Sequence, residues 1–134
     1  MREEDVIEIN LAGGHTPHEA LLIGYENSEM CCTVLVDDVP ALIFGTKYKS
    51  IISDEAYVWM LATDLIDKIH YRFLIRCRSV VNAMMKGKRA ICNYVWSGNQ
   101  VSIKWLKWLG FNIAEAQPYG VAAQNFHYFE MRTR

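Results

Sequence analysis

The stretch NYVWSGNQVSIKWLKWLGF, residues 93–111, changes within nineteen residues from a strand pattern to a helix pattern. Its first residues are aromatic or β-branched, which favours a strand. Ser-Gly-Asn at 97–99 then interrupts the strand, and apolar residues at helical spacing follow among basic ones. Gly110 suits the left-handed conformation that ends a helix, and Phe111 can fold back on the apolar side of that helix. The stretch therefore predicts a strand, a tight junction and a basic amphipathic helix.

The chain has 134 residues, of which 51% are hydrophobic, and this is enough for one ordinary core. We therefore expect a single domain over residues 1–134. No apolar run reaches the roughly 18 residues of a membrane span, and the acidic first residues differ from a secretory signal. We expect no membrane association and a cytoplasmic protein.

The residues that most often bind metals or form disulfides show no such pattern here. The four cysteines lack Cys-x-x-Cys spacing, so reduced and mostly buried thiols are expected. His15 and His18 have no third ligand nearby in the sequence. We predict no metal site.

The charges are divided unevenly along the chain. Residues 1–67 contain thirteen Asp or Glu and three Lys or Arg, whereas residues 68–134 contain two and eleven, so the formal charges are −10 and +9. An anionic ligand on the basic half, a head-to-tail contact with another protein, and two solvated faces of one domain are all compatible with this division.

The periodicity of the chain predicts ten elements in the order helix, helix, strand, strand, strand, helix, strand, helix, strand, strand. The predicted helices cover about 5–11, 16–27, 65–85 and 99–109, and the predicted strands cover 30–36, 41–46, 56–62, 89–96, 112–117 and 125–132. A hairpin followed by alternating strands and helices implies an α/β domain with a mixed sheet and helices on both faces. We expect strand 89–96 beside strand 56–62, and Trp59, Ile66, Phe73 and Val80 buried together.

This order, together with residues 93–111, resembles the GNAT superfamily of acyl-CoA-dependent N-acyltransferases, from about residue 30 to residue 132. The last helical motif of that family consists of Asn, a small residue three positions later, an aromatic or Leu pair, and Leu-Gly-Phe. The matching residues are Asn99, Ser102, Trp105-Leu106 and Leu109-Gly110-Phe111. The same stretch is similar to small GNAT-like proteins of podoviruses, some of them internal virion proteins, and so suggests a phage origin.

The resemblance implies a GNAT-like central mixed sheet whose divergent strands open a V-shaped cleft for the pantetheine arm of acetyl-CoA or CoA. Carried over position by position, the family's cofactor contacts are Leu61, Ala62, Thr63, Arg72, Arg76, Asn99 and Ser102. The alternative for Asn99 is that it only caps the following helix, since Asn is a favoured cap.

Three features of the family are absent from the sequence. The segment 62–69 has no glycine for a pyrophosphate loop, and Asp64 and Asp67 would compete with an anion for the helix start. Leu106 occupies the position of the last helix at which many family members have a tyrosine that acts as general acid. Residues 57–62 contain no glutamate that could act as the base. The candidate substitutes for catalysis are Tyr94, Tyr119, Tyr128 and His127 on the late strands, although aromatic residues in strands are also ordinary core residues.

Two functions follow from the resemblance and one from charge. The chain transfers an acyl group from acyl-CoA to a host amine or retains only the cofactor cleft, or it is a non-catalytic phage protein that binds a host protein or assists virion assembly. The expected location is accordingly the host cytoplasm or the virion. The sequence leaves undecided whether the chain forms a homodimer. Nucleic acid is a less favoured partner, for which the basic residues are Lys68, Arg72, Arg76, Arg78, Lys86, Lys88 and Arg89.

Overall fold

The computed structural model describes residues 1–65 and 71–133, and of residues 71–75 it describes the backbone alone. The helices are α1 Glu3–Gly13, α2 Pro17–Asn27, α3 Tyr71–Met85 and α4 Gln100–Leu109. The strands are β1 Met30–Val36, β2 Val39–Tyr48, β3 Glu55–Ala62, β4 Ala90–Trp96, β5 Asn112–Tyr119 and β6 Gln124–Arg132. The predicted order is confirmed, whereas the predicted start of the long helix lies partly outside the described residues.

The six strands form one sheet in the order β1-β2-β3-β4-β6-β5. The β3–β4 pair is parallel, and the other neighbouring pairs are antiparallel. The prediction of a mixed sheet in an α/β domain is therefore confirmed, as is the prediction that strand 89–96 lies beside strand 56–62. This parallel pair is where the chain crosses the sheet through α3.

The predicted helix ends follow local chemistry. Thr16 and Glu19 form a capping box at α2, in which each side chain accepts the backbone N–H of the other residue. Gly110 ends α4 with φ 102°, in the left-handed region, and its N–H bonds to carbonyls of the last turn. These ends depend on neighbours in sequence, which is why the sequence predicted them.

The main core lies between one face of the sheet and helices α3 and α4. It contains Val81 and Met84 from α3, Ile103 from α4, and apolar side chains of the central strands. Burial of such side chains contributes roughly 1.5–3 kcal/mol each. Val80 packs on this core from the α3 side.

Trp59 lies on the opposite face of the sheet, because β-strand side chains alternate and its neighbour Val58 packs on the main core. Its ring lies against Gly24 of α2, and its Nε1 donates a 2.6 Å hydrogen bond to Ser28 Oγ. The prediction that Trp59 and Val80 are buried together is therefore wrong. Ile66 and the side chain of Phe73 lie outside the described residues.

Helix α1 is tied to the sheet at both of its ends. At its start, the Arg2 N–H donates to the Ala62 carbonyl at 2.7 Å. At its end, the carbonyls of Leu11 and Ala12 accept the N–H groups of Ala122 and Val121, in the turn between β5 and β6. Gly120 allows this contact, since a Cβ there would lie 2.6 Å from Ala12 Cα.

No helix in the described parts of the chain is long and apolar enough to span a membrane.

Candidate functional site

The parallel strands β3 and β4 pair over three residues and then separate. The register joins Glu55–Tyr57 to Ala90–Cys92 and ends there. At the next position, Asn93 places its side-chain amide between the strands. Its Nδ2 donates to the Val58 carbonyl at 2.8 Å, and its Oδ1 accepts the Tyr94 N–H at 2.8 Å. The Asn93 side chain thus replaces the backbone ladder where the sheet opens.

Carboxylates of α1 bind backbone groups at the open ends of both strands. Asp5 Oδ2 accepts the Ala62 N–H at 2.9 Å, at the end of β3. Glu8 Oε1 accepts the Trp96 N–H at 2.6 Å, at the end of β4. These N–H groups would otherwise be buried without a partner, which costs about 1–3 kcal/mol each. Helix α1 therefore closes the wide end of the gap between the strands.

A buried polar cluster surrounds this closure. Arg2, Asp5 and Asn99 are 5%, 2% and 1% exposed. The Arg2 guanidinium lies 3.6 Å from Asp5 and donates to Asn99 Oδ1 at 3.4 Å, while Asn99 Nδ2 donates to Asp5 at 3.5 Å. The cluster joins α1 to the start of α4 and so fixes the width of the gap.

One residue of β3 keeps backbone groups on the open edge. Along β3, odd-numbered residues bond to β2, as shown by the Lys49 N–H to Glu55 carbonyl bond and the Thr63 N–H to Ala41 carbonyl bond. Backbone groups alternate in direction along a strand, so even-numbered residues direct their N–H and C=O toward β4. Asn93 binds the Val58 carbonyl and Asp5 binds the Ala62 N–H. Met60 lies between them, and no side chain of the described residues bonds to its backbone. Its N–H and C=O can therefore receive an amide-containing ligand.

A cavity of about 690 Å³ occupies the gap and extends beneath α3 and α4. Most of its described lining is aliphatic or aromatic, and its polar side chains include Asp5, Glu8, Asn93 and Tyr94. Ligand sites in proteins commonly have 300–1,000 Å³ and this combination of apolar walls with a few polar groups. The gap between β3 and β4 is therefore the candidate site.

Glu8 has the electrostatic character of a general base. Burial raises the pKa of this carboxyl to about 7, against the hydrogen bond from Trp96, which lowers it. Burial also raises the pKa of Asp5, although the bond from Ala62 and the charge of Arg2 oppose the change. A carboxylate that titrates near neutral pH can accept a proton from an ammonium group.

The structure places the four predicted catalytic candidates at different locations. Tyr94 and Tyr119 line the cavity, and their rings stack with centroids 3.8 Å apart. Tyr128 donates its hydroxyl proton to Glu130 at 3.0 Å, and it is not among the residues that line the cavity. His127 lies on the other side of the sheet from Tyr128, where its Nδ1 is 2.8 Å from the Ala114 carbonyl. The two residues of the stack are thus the candidates that line the same cavity as Glu8.

The predicted cofactor residues are also divided. Leu61, Arg76 and Ser102 line the cavity. Both backbone groups of Ala62 are bonded to α1 or its preceding residue, and Thr63 directs its N–H and its hydroxyl to the Ala41 carbonyl of β2.

The remaining predicted contacts concern Asn99 and the start of the long helix. The Asn99 side chain is held by Arg2 and Asp5 and makes no capping bond to α4. Asn99 is the N-cap residue of α4 by position, as this alternative expected, but it does not cap the helix through its side chain. The side chain of Arg72 and residue Asp67 lie outside the described residues, so the predicted competition of Asp64 and Asp67 with an anion stays a prediction.

Sequence reasoning missed Glu8, because it sought a glutamate on the cleft strand itself. The carboxylate instead comes from α1, 88 positions before its bonding partner Trp96. A weak signal was present, since Asp5 and Glu8 are one helical turn apart and share a face with the apolar side of α1. Periodicity alone does not distinguish such buried carboxylates from solvated ones.

No family model and no curated protein sequence matches the chain. Solved structures do match. One is the ribosomal-protein-S5-alanine acetyltransferase from Vibrio fischeri, with TM-score 0.60, 15% identity, and coverage of 86% of this chain and 67% of that one. Another is a spermidine N-acetyltransferase chimera from Vibrio cholerae and hSSAT, with TM-score 0.64, 8% identity, and coverage of 86% and 73%.

A third is the GNAT domain of S. lividans PAT, with TM-score 0.58, 14% identity, and coverage of 77% and 60%. At identities this low, the matches show a shared fold alone. That fold agrees with the strand order and the open parallel pair described above. The chain therefore has the fold of the GNAT acetyltransferases.

Proposed function

We propose that the chain binds an acyl-CoA in the gap between β3 and β4 and transfers the acyl group to a primary amine. The observation that carries this proposal is the open edge at Met60, which offers one N–H donor and one carbonyl acceptor at the wall of the cavity. The pantetheine arm contains amides that match such a pair, in the manner of a strand added to a sheet edge.

The charges around the gap fit the two substrates. Glu3, Glu4 and Asp5 lie in the first turn of α1, while Arg76 lines the cavity from α3. An anionic coenzyme is favoured near the basic helices and a cationic amine near α1. The proposal thus agrees with one of the three explanations of the charge division, an anionic ligand on the basic half.

Glu8 supplies the base in this proposal. Its carboxylate takes a proton from the ammonium group, the free amine nitrogen forms a bond to the thioester carbonyl carbon, and the carbon–sulfur bond breaks. The coenzyme thiolate leaves and is protonated. Burial raises the pKa of Tyr119, so its phenol keeps the proton that this last step requires. Placement of amine and thioester together supplies much of the rate.

The test combines binding with thiol release. Titration calorimetry with CoA and acetyl-CoA measures binding. Thiol formation is followed with spermidine and with an alanine-containing peptide that has a free amine, since two of the similar structures are named as a spermidine and a ribosomal-protein-S5-alanine acetyltransferase. We expect Glu8→Gln to lower turnover by roughly 10²–10⁴-fold, because general base catalysis contributes about that much, while Kd is unchanged. Glu4→Gln, on the same helix and partly exposed, is the matched control.

The second candidate is a non-catalytic protein with this fold, favoured by the occupied groups of Ala62 and the buried Asn99. In the phage setting suggested by residues 93–111, such a protein would bind a host protein or take part in virion assembly, and the acceptor of the first proposal would be a host amine. Binding of CoA without thiol release from any amine of the panel would support the second candidate. Absence of CoA binding would overturn the first.

A further inference from the structure

The cavity is larger and more apolar than an acetyl group requires. An acetyl group has only three non-hydrogen atoms, whereas cavities of roughly 300–1,000 Å³ bury drug-sized ligands. The cavity measures about 690 Å³. Part of this space is needed for the pantetheine arm, so the location of the polar groups decides which part is left.

Polarity changes along α3. Arg76, Cys77, Val80, Val81 and Met84 line the cavity from this helix. The eight positions from Arg76 to Met84 correspond to about 12 Å along the helix axis. The cavity therefore has a basic end near Arg76 and an apolar end near Met84.

The apolar end is closed by core residues. Val81, Met84, Phe111 and Phe129 line the cavity but are only 7%, 3%, 6% and 6% exposed, so they form its packed floor. The apolar surface that a ligand can cover belongs to the half-buried Val58, Val80 and Leu106. None of these side chains can form a hydrogen bond with a ligand. The amides of a pantetheine arm would lose their hydrogen bonds to water there without replacement, which costs several kcal/mol. The arm therefore belongs near the Met60 edge and Arg76, and an apolar group belongs at the closed end.

We propose that the acyl donor carries a medium-length aliphatic chain, of about six to ten carbons, which occupies the closed end of the cavity. This inference rests on the proposed function and names its donor. The thioester then lies between the level of Asn93 and that of Glu8, the arm extends past Met60 toward Arg76, and the chain extends toward Met84. Val80 and Val58, which are partly buried, form the walls that the chain covers.

The test is a series of acyl-CoA thioesters with two, four, six and eight acyl carbons, titrated into the full chain together with free CoA. Each fully buried methylene increases affinity roughly fourfold. We expect octanoyl-CoA to bind at least about 100-fold more tightly than acetyl-CoA, with free CoA near acetyl-CoA. Equal affinities for acetyl-CoA and octanoyl-CoA would overturn the inference and leave the proposed function intact.

Val80→Phe narrows the closed end and provides the second measurement. We expect it to weaken octanoyl-CoA at least about tenfold and to change acetyl-CoA less than about twofold, since added volume in a confined site excludes only the longer ligand. Val101→Phe is the matched control, because Val101 is 60% exposed on α4 and does not line the cavity. An equal loss for both thioesters in Val80→Phe would contradict the inference, and failure of free CoA and of every thioester to bind would overturn the proposed function as well.

Discussion

The narrow end and the wide end of the β3–β4 gap are built from the same two strands but held by different means. At the narrow end, backbone hydrogen bonds join Glu55–Tyr57 to Ala90–Cys92, and the central residues of these segments, Ala56 and Ile91, are completely buried. At the wide end, the N–H groups of Ala62 and Trp96 are bonded by the α1 carboxylates Asp5 and Glu8. The backbone ladder holds the narrow end together, whereas the wide end depends on side chains of α1, which is distant in the sequence.

The two ends contribute to stability in different ways, and only one of them contains groups suited to proton chemistry. The narrow end contributes apolar burial and a complete ladder, so substitutions of Ala56 or Ile91 act on the core. The wide end contains buried carboxylates, whose burial is unfavourable to their charged forms. Burial raises the pKa of both carboxyls, that of Glu8 to about 7, and groups shifted in this way are candidates for proton chemistry. The wide end is therefore where we expect proton chemistry, and its buried polar contacts contribute to stability as well.

The largest expected effect is at Asp5. Asp5→Ala leaves the Ala62 N–H and the Arg2 guanidinium buried without this partner. Removal of one member of a buried ion pair costs about 3–5 kcal/mol, so we expect the free energy of unfolding in urea to fall by about that amount. Glu4→Ala is the control, since Glu4 is partly exposed and 3.7 Å from the same guanidinium. A loss below about 1 kcal/mol for Asp5→Ala would show that α1 does not hold the wide end.

The next effect is a dependence of stability on pH. The folded pKa of Glu8 is about 7 against 4.5 for the free group, so stability due to Glu8 is full below pH 4.5 and is lost as pH rises through 7. The loss is on the order of 3 kcal/mol. The groups that face Glu8 are Asp5, Arg2, Asn99 and the Trp96 N–H, and Asp5 changes stability in the same direction.

Glu8→Gln separates these contributions. Its amide oxygen can still accept the Trp96 N–H, while its charge is absent at every pH. We expect the fall in unfolding free energy between pH 5 and pH 8 to be smaller in Glu8→Gln than in the wild type, as measured by urea denaturation at both values. Identical pH profiles for the two proteins would remove Glu8 from the proposed role of base.

A smaller effect is expected at Asn93. Asn93→Ala removes two hydrogen bonds, to the Val58 carbonyl and from the Tyr94 N–H, at the point where the strands separate. We expect a loss of about 1–2 kcal/mol in unfolding free energy and faster hydrogen exchange of the Tyr94 amide. Asn82→Ala, at an exposed position of α3, should leave both unchanged. An unchanged Tyr94 exchange rate would show that the strands are kept apart by something other than the Asn93 side chain.

The fold was largely predictable because it is written in local patterns. Thr16 and Glu19, three residues apart, mark a helix start, and Gly110 marks a helix end. The alternation in β3 and β4 identified both strands, although it did not show which face Trp59 occupies, because that strand is apolar on both faces. The residues 93–111 carried the resemblance to the GNAT fold, which the strand order supports.

The site was less predictable for a physical reason. Tyr94 and Ser102 lie in the element that carried the resemblance, and both line the cavity. Asn99 is held by Arg2 and Asp5, which are 97 and 94 positions away. No spacing rule along the sequence reports such contacts, and they decide which backbone groups of the gap are occupied and which are open.

The central claim is that the open edge at Met60 receives an acyl-CoA, and amide hydrogen exchange with and without CoA tests it most directly. Leu61 is the internal control, because it pairs with Ile43 of β2 and directs its N–H away from the gap. Saturating CoA should slow exchange of the Met60 amide at least about tenfold and leave Leu61 unchanged, since a new hydrogen bond protects the donor that makes it. Binding of CoA with no added protection at Met60 would contradict the claim.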